Sequence, residues 1–105
     1  MNTIIKQFTS DNFKSETLSG MVLVDFWAPW CGPCRMQSGI LDRLIESGEL
    51  PEGVAIGKVN IDEEPRLAAR FGVMSIPTLV VFRDGNPVSQ MTGVQSAEKL
   101  LSELH

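Results

Sequence analysis

The sequence predicts an α/β fold in which helices cover both faces of a mixed β-sheet. Short apolar runs of strand character alternate with helical patterns along most of the chain, and such alternation requires crossover connections between parallel strands. Near the C-terminus, Asp84-Gly85-Asn86 separates two further apolar runs, and Asp-Gly in that position is the strongest short signal for an antiparallel hairpin. The predicted order is therefore strand, helix, strand, helix, strand, helix, strand, strand, helix.

The first two predicted elements are short. Ile4 to Phe8 has the composition of a first strand. Thr9 or Ser10 is a suitable N-cap for the helix that follows, because a side-chain oxygen there can accept a hydrogen bond from an unpaired backbone N–H. Gly20 is expected to end that helix.

The next strand and helix carry most of the chemical signals. Met21 to Trp27 is predicted to be a strand buried on both faces, because its apolar residues run on rather than alternate. A helix is expected to begin around Cys31 to Cys34 and to reach about Ser47. Gly39 weakens this helix by ~1 kcal/mol relative to Ala and can mark a bend. The predicted buried face is apolar and consists of Met36, Ile40, Leu41, Leu44 and Ile45.

The second half of the chain continues the pattern after a loop rich in glycine and proline. Val54 to Ile61 is predicted to be a buried strand, and Pro65 opens a short helix. Thr78 to Phe82 and Val88 to Thr92 form the strands of the hairpin. Ser96 is expected to cap a last helix. The apolar face of that helix consists of Ala97, Leu100, Leu101 and Leu104.

Length and charge limit the possible functions. A chain of 105 residues fits one domain, so we expect a single domain over residues 1–105. The net charge is −4 and no basic stripe is present, which argues against a nucleic-acid partner. No apolar run approaches the roughly 18 residues of a membrane span, and Met1 to Gln7 lacks the apolar core of a secretory signal. We expect a cytoplasmic monomer without membrane contact.

The segment Cys31-Gly32-Pro33-Cys34 holds the only two cysteines and lies where a strand meets a helix, which predicts a redox site. Unpaired N–H groups and the helix dipole favour a thiolate at Cys31, which we expect to be exposed and nucleophilic. Cys34, one turn further, should be more buried and should resolve a mixed disulfide. Gly32 has no side chain to obstruct an incoming disulfide, and Pro33 stiffens the ring that a Cys31–Cys34 disulfide would close.

The alternative for the cysteine pair is half of a zinc site. Four ligands are usual for zinc, and the only other soft ligand in the chain is His105, so this alternative is the weaker one.

Asp25 is a lone acid inside an apolar run. Strand alternation places it on one face with Leu23 and Trp27, and burial there should raise the pKa of its carboxyl group. The ordinary alternative is an acid at the end of a strand. Because a buried thiol must pass its proton to some acceptor, we interpret Asp25 as that acceptor.

Motifs along almost the whole chain resemble the thioredoxin family. They are Asp25-Phe26-Trp27-Ala28, Trp30-Cys31-Gly32-Pro33-Cys34, Lys58-Val59-Asn60-Ile61-Asp62, Phe71-Gly72-Val73, Ile76-Pro77-Thr78, Phe82, Gly85 and Gly93. The resemblance implies the thioredoxin fold, with a five-stranded mixed central sheet flanked by four helices. It also implies a thiol–disulfide oxidoreductase that reduces disulfides in proteins.

The resemblance implies further roles for single residues. Lys58 would neighbour Asp25, and Ile76-Pro77-Thr78 would form a loop that faces the dithiol through a cis proline. The backbone at Ile76 would pair with an extended substrate segment. The residues implied to bind substrate are Trp30, Gly32, Pro33, Gly72, Val73, Ile76, Pro77, Thr78 and Gly93.

The resemblance also implies the route of the electrons. No cofactor would be bound, and the Cys31–Cys34 disulfide would receive reducing equivalents from NADPH through a thioredoxin reductase. Two alternatives stay open, a disulfide oxidase or isomerase and a binding subunit that uses only the docking surface. Oxidising relatives more often carry His between the cysteines, which disfavours the first alternative.

Two departures from the family pattern stand out. Gly39 replaces a proline that is usual inside the second helix, and Met74-Ser75 replaces charged or glycine residues beside the docking surface. The second departure bears on the choice of partner rather than on the chemistry.

Overall fold

The computed structural model describes residues 4–105, which form five strands and four helices. The elements in chain order are β1 (Ile5–Gln7), α1 (Phe13–Thr17), β2 (Met21–Trp27), α2 (Gly32–Ser47), β3 (Ala55–Asn60), α3 (Pro65–Arg70), β4 (Thr78–Arg83), β5 (Asn86–Thr92) and α4 (Ala97–Glu103). The longest helix in this part of the chain, α2, has 16 residues, and none of the helices described here has the length and apolarity to cross a bilayer.

The strands form one sheet in the order β1-β3-β2-β4-β5. β3 pairs in parallel with both β1 and β2, whereas β4 pairs antiparallel with β2 and with β5. The predicted mixed sheet is therefore confirmed. β2 is the central strand, and five of its seven residues are buried because helices cover both of its faces.

Alternation along the strands divides the core into two clusters. On one face, Val22, Val24 and Phe26 of β2 pack with residues of α1 and α3. On the opposite face, Leu23 packs with residues of α2 and α4, including Leu41. Asp25 shares the parity of Leu23 and so points toward the α2 side.

The start of α1 differs from the prediction. The N-cap is Asn12 and not Thr9 or Ser10, so the helix has only five residues. The Asn12 side chain does not cap the helix; its Oδ1 accepts a hydrogen bond from the backbone N–H of Thr9 at 2.7 Å. Asn side chains form such local turns readily, and this turn delays the helix. The C-cap is Leu18, two residues before Gly20.

The buried face of α2 was predicted wrongly at one position. Met36 is 63% exposed, and Gln37 beside it is fully buried. Successive helix residues point about 100° apart, so the sheet-facing row that contains Cys34, Gln37 and Leu41 turns Met36 toward solvent. The helix runs without interruption through Gly39 and ends at Gly48, whose φ of 73° is left-handed.

The predicted hairpin between β4 and β5 is present, but its turn has two residues, Asp84 and Gly85. Asn86, predicted to belong to the turn, pairs with Arg83 as the first residue of β5. Asp84 and Gly85 both have positive φ, 50° and 88°, as a type I′ turn requires. The backbone N–H of Asp84 donates to the carbonyl of Gly20 at 2.9 Å, and Asp84 Oδ1 accepts from the N–H of Gly20 at 2.8 Å. These bonds join the hairpin to the turn before β2. Pro87 lies on the edge strand β5 opposite Phe82, next to an irregularity in the β4–β5 register.

Candidate active site

The cysteine pair lies at the N-terminus of α2. Cys31 is the N-cap, with an extended backbone, and Pro33 occupies the first turn. The two cysteines form a disulfide with a Cα–Cα distance of 5.2 Å. The backbone N–H of Cys34 donates to Sγ of Cys31 at 3.2 Å. A helix N-terminus therefore directs a donor at the sulfur of Cys31, which is the arrangement that stabilises a thiolate.

Both cysteines are nearly covered in this disulfide form. Cys31 is 5% exposed and Cys34 is 2% exposed. The expectation of an exposed Cys31 is therefore wrong for the oxidised state, because the pair packs with Ala28, Trp27 and Ile76. Cys34 is the more buried of the two, as expected. Gly32 and Pro33, between them, are both exposed.

The Ile76–Pro77 peptide bond is cis, as the resemblance implies. The carbonyl oxygen of Ile76 lies 3.8 Å from Sγ of Cys31, so this loop faces the disulfide directly. Two hydrogen bonds hold the loop. The N–H of Gly93 donates to the carbonyl of Pro77 at 2.8 Å, and Thr78 Oγ1 donates to the carbonyl of Ser75 at 2.6 Å. Thr78 itself is buried.

A groove opens beside the dithiol, with a volume of about 290 Å³. Its lining is mostly apolar and consists of Trp30, Ile61, Val73, Met74, Ser75 and Ile76. Trp30 is 66% exposed and Met74 is 97% exposed, and Nε1 of Trp30 donates to Oδ2 of Asp62 at 3.0 Å.

Three of the residues implied to bind substrate, Trp30, Val73 and Ile76, meet in this groove. Gly72 directly precedes the groove residue Val73 in the chain and has a φ of 66°. Gly93 contacts the loop through the hydrogen bond from its N–H to the carbonyl of Pro77. The lining position of Ile61 was not predicted from the sequence, although it belongs to the motif that ends at Asp62.

Asp25 is fully buried. It lies two residues before Trp27 on the same face of β2, and Trp27 packs against the cysteine pair. Neither of its carboxylate oxygens has a hydrogen-bond partner among residues 4–105. Burial raises the pKa of Asp25 from its ordinary value of 3.8 to about 7, although the positive charge of Lys58 acts in the opposite direction. The indole Nε1 of Trp27, on the same face of β2, is likewise buried without a partner in the described part of the chain.

Lys58 occupies the position opposite Asp25 on the neighbouring strand β3. Its ammonium group donates to Oγ of Ser38 on α2 and lies 5.7 Å from the centre of the Trp27 ring. The predicted neighbourhood of Lys58 and Asp25 is therefore present, but Ser38 accepts the lysine's hydrogen bond. Sequence reasoning missed Ser38; its spacing of four residues from Cys34 on one helix was the available signal.

The family assignment rests on the whole described chain. A family model described as Thioredoxin matches residues 4–105. The chain belongs to the thioredoxin family. It is 50% identical over 97 residues to a thioredoxin of Chlamydia pneumoniae, covering 92% of each chain. It is 47% identical over 100 residues to a thioredoxin of Staphylococcus haemolyticus, covering 95% of this chain and 94% of the relative.

Solved structures agree with the thioredoxin assignment. A thioredoxin mutant from Halobacterium salinarum superimposes with a TM-score of 0.80 at 32% identity, covering 98% of this chain and 88% of the other. The predicted thioredoxin fold is thus confirmed. Thioredoxins are protein-disulfide oxidoreductases, and this thioredoxin-family chain carries a cysteine pair joined as a disulfide. Within residues 4–105, no group of three or more His, Cys, Asp or Glu side chains is placed to hold a metal ion.

Proposed function

We propose that this protein reduces disulfide bonds in other proteins, with Cys31 as the nucleophile, Cys34 as the resolving thiol and Asp25 as the proton acceptor. The observation that carries the proposal is the disulfide at the N-terminus of α2, together with an unpartnered buried carboxyl group on the same face of the sheet. The two features supply a stabilised thiolate and a proton acceptor.

The reaction needs two exchanges. In the first, the Cys31 thiolate attacks one sulfur of the substrate disulfide; the other substrate sulfur leaves as a thiolate and takes up a proton. In the second, Cys34 gives up its proton and attacks Sγ of Cys31, which releases the second substrate sulfur as a thiolate. The substrate gains two electrons, and the Cys31–Cys34 disulfide forms.

Asp25 is suited to receive the proton of Cys34. A carboxyl group with a pKa of about 7 is partly ionised at neutral pH and can both accept and release a proton there. Because Lys58 donates to Ser38, its positive charge stays beside Asp25 without occupying the carboxylate oxygens. Lys58 is proposed to set the pKa of Asp25.

Substrate is proposed to dock over the groove and the loop that contains Pro77. The exposed face of Trp30 and the apolar groove favour an apolar substrate segment, and the backbone at Ile76 is available for strand-like pairing. The proposed docking surface comprises Trp30, Gly32, Pro33, Gly72, Val73, Ile76 and Gly93. Pro77 and Thr78 are buried and are proposed to support this surface from below.

The remaining parts of the proposal concern the cellular setting. The protein is proposed to act as a single-domain monomer in the cytoplasm over residues 1–105. Its disulfide would be reduced by a thioredoxin reductase that draws on NADPH, and its substrates would be disulfide-containing proteins. The family match over residues 4–105 supports this setting.

Cysteine variants test the assigned roles. Cys31→Ser should abolish turnover, because no attacking thiolate remains at the helix N-terminus. Cys34→Ser should instead accumulate a covalent adduct with a disulfide-containing protein, detectable as a mass shift that dithiothreitol reverses. The double variant Cys31→Ser/Cys34→Ser is the control and should form no adduct. Full turnover by either single variant would overturn the proposal.

The midpoint potential distinguishes a reductase from an oxidase on the same fold. Equilibration with a defined thiol buffer, followed by tryptophan fluorescence, should give a value at the reducing end of the oxidoreductase range. A value at the oxidising end would favour the oxidase alternative and would contradict the proposed direction of electron flow.

A further inference from the structure

The redox helix α2 carries a fully buried glutamine, Gln37, three residues after Cys34. A polar side chain without exposure is unfavourable unless its donors and acceptors are paired, so its partners indicate what the position does. Gln37 does not take part in the thiol exchange proposed above.

Both ends of the Gln37 amide bind one residue far along the chain. Oε1 of Gln37 accepts from the backbone N–H of Gln95 at 2.6 Å, and Nε2 of Gln37 donates to the backbone carbonyl of Gln95 at 3.1 Å. The glutamine side chain thus pairs with Gln95 as a neighbouring β-strand would. The two residues are 58 positions apart, and the pairing joins α2 to the segment between β5 and α4.

The segment from Gly93 to Gln95 makes three further hydrogen bonds. It lies outside regular secondary structure, and Gly93 has a left-handed φ of 87°. The side-chain Nε2 of Gln95 donates to the carbonyls of Thr92 and Gly93, each at 3.1 Å. The N–H of Gly93 in turn donates to the carbonyl of Pro77 at 2.8 Å. A continuous set of hydrogen bonds therefore runs from α2 to the cis-proline loop.

We propose that Gln37 is a positioning residue that fixes the segment Gly93 to Gln95 and so keeps one side of the docking surface ordered before substrate arrives. The inference rests on the proposed function, because it assumes that protein substrates dock beside Gly93. An ordered surface lowers the entropic cost of binding, whereas a loose one must be ordered by the substrate. Gln37 would therefore act on the recognition of protein disulfides and not on the exchange itself.

The test compares a large and a small disulfide in the full chain. Gln37→Met keeps the volume and the helix propensity but removes both hydrogen bonds to Gln95. With insulin as the protein disulfide and dithiothreitol as the reductant, KM should rise by about threefold to tenfold, the size of one or two lost hydrogen bonds, with kcat unchanged. The rate with dithionitrobenzoate, a small aryl disulfide, should change by less than about twofold because it needs little docking surface.

A second readout follows the segment directly. Amide hydrogen exchange at Gln95 should become faster in Gln37→Met, because its N–H loses its acceptor. The control is Ser15→Ala, which removes a side-chain hydrogen bond of 3.0 Å to the carbonyl of Asn12 on the exposed surface of α1, on the opposite face of the sheet from α2. The control should leave KM for insulin and exchange at Gln95 unchanged.

Three outcomes would overturn the inference: an unchanged KM for insulin, unchanged exchange at Gln95, or an equal loss of rate with both disulfides. Should Gln37→Met fail to fold, Gln95→Ala tests the same set of hydrogen bonds, because it removes the bonds to Thr92 and Gly93 that connect the Gln37 pairing to Gly93. It should raise KM for insulin above the wild-type value, and an unchanged KM would overturn the inference. A wild-type protein that cycles its dithiol with dithionitrobenzoate but not with insulin would contradict the proposed function instead, and exchange at Gln95 would still decide the role of Gln37.

Discussion

The two faces of the sheet differ in the side chains that they bury. On the face covered by α1 and α3, phenylalanine rings pack with centroid distances between 5.2 and 6.1 Å, and the buried hydroxyls of Thr17 and Thr78 each donate to a nearby carbonyl. On the face covered by α2 and α4, Asp25 is buried without a partner, and Gln37 binds a distant backbone segment.

The two faces differ in how their contribution to the free energy of folding depends on pH. Packed aromatic rings contribute to the free energy of folding at any pH, whereas an unpartnered carboxyl group is unfavourable once it is ionised. Both faces bury an apolar cluster that stabilises the fold, but only the α2 and α4 face also buries a carboxyl group that is destabilising when it is ionised. Substitutions on the two faces should change the free energy of unfolding by different amounts, in different directions and with different pH dependence.

The largest effect is expected on the aromatic face. Phe13 contacts the rings of Phe8, Phe71 and Phe82, so Phe13→Ala should lower the free energy of unfolding by about 3–5 kcal/mol. Urea unfolding of the oxidised protein measures this change, which should be the same at every pH. A loss below about 1 kcal/mol would mean that the cluster collapses around the gap and would remove the contrast between the faces.

Asp25→Asn should raise the free energy of unfolding, in contrast to Phe13→Ala, and the size of this gain should depend strongly on pH. The folded-state pKa of about 7 lies above the ordinary value of 3.8, so the folded protein binds more protons than the unfolded chain between these values. The ionisation of Asp25 should therefore remove roughly 4 kcal/mol of stability as pH rises from about 4 to about 7. Asp25→Asn should abolish this loss, as urea unfolding of the oxidised protein across that range would show.

The control for this prediction is Phe13→Ala, whose destabilisation should not vary with pH. The same Asp25→Asn variant should resolve a mixed disulfide more slowly at neutral pH, because Cys34 would lack its proton acceptor. An unchanged rate of resolution would remove the proposed role of Asp25, while a flat wild-type stability profile would contradict its raised pKa.

Lys58→Met should produce a smaller shift on the same face. The positive charge of Lys58 lowers the pKa of Asp25, so its removal should raise that pKa further. The pH range over which stability falls should then extend upward. Lys99→Met is the matched control, because Lys99 pairs with Glu103 at 3.6 Å on the surface of α4. Identical profiles for the two variants would show that Lys58 does not act on Asp25.

The smallest effect is expected within α2. A Cβ at Gly39 would meet only the movable side chain of Arg43, at 3.4 Å, so Gly39→Ala should stabilise the protein by about 1 kcal/mol. Gly48→Ala at the C-cap of this helix should destabilise the protein instead, since Gly48 has a φ of 73°. Thermal unfolding of both variants measures the difference. A loss of stability in Gly39→Ala as well as in Gly48→Ala would indicate that Gly39 has a packing role.

Local signals explain which elements the sequence predicted. β2, the start of α2 and the β4–β5 hairpin each follow from a short segment: an apolar run, a proline in a first turn and an Asp-Gly pair. The raised pKa of Asp25 follows in the same way, because strand parity in a doubly covered sheet leaves the carboxyl group nowhere to reach water.

The missed features depend on contacts between distant segments. Gln37 looks like a surface residue until its pairing with Gln95 is known, and the exposure of Met36 follows from the same rotation of α2. Cys31 is covered because the loop of Ile76 packs against it, which no pattern near residue 31 indicates. The cap at Asn12 is a local miss: two turn-forming choices compete there, and composition does not decide between them.

The positions of the two tryptophans have an optical consequence. The chain has no tyrosine, and Trp27 and Trp30 are its only indoles; Trp27 packs on the disulfide, and Trp30 lies in the adjoining groove. Fluorescence excited at the red edge of protein absorption therefore comes only from the two tryptophans at the redox end of the molecule. The phenylalanine face does not contribute to it. Far-ultraviolet circular dichroism reports the whole backbone, so the two spectra together tell whether the redox end and the aromatic face melt as one cooperative unit.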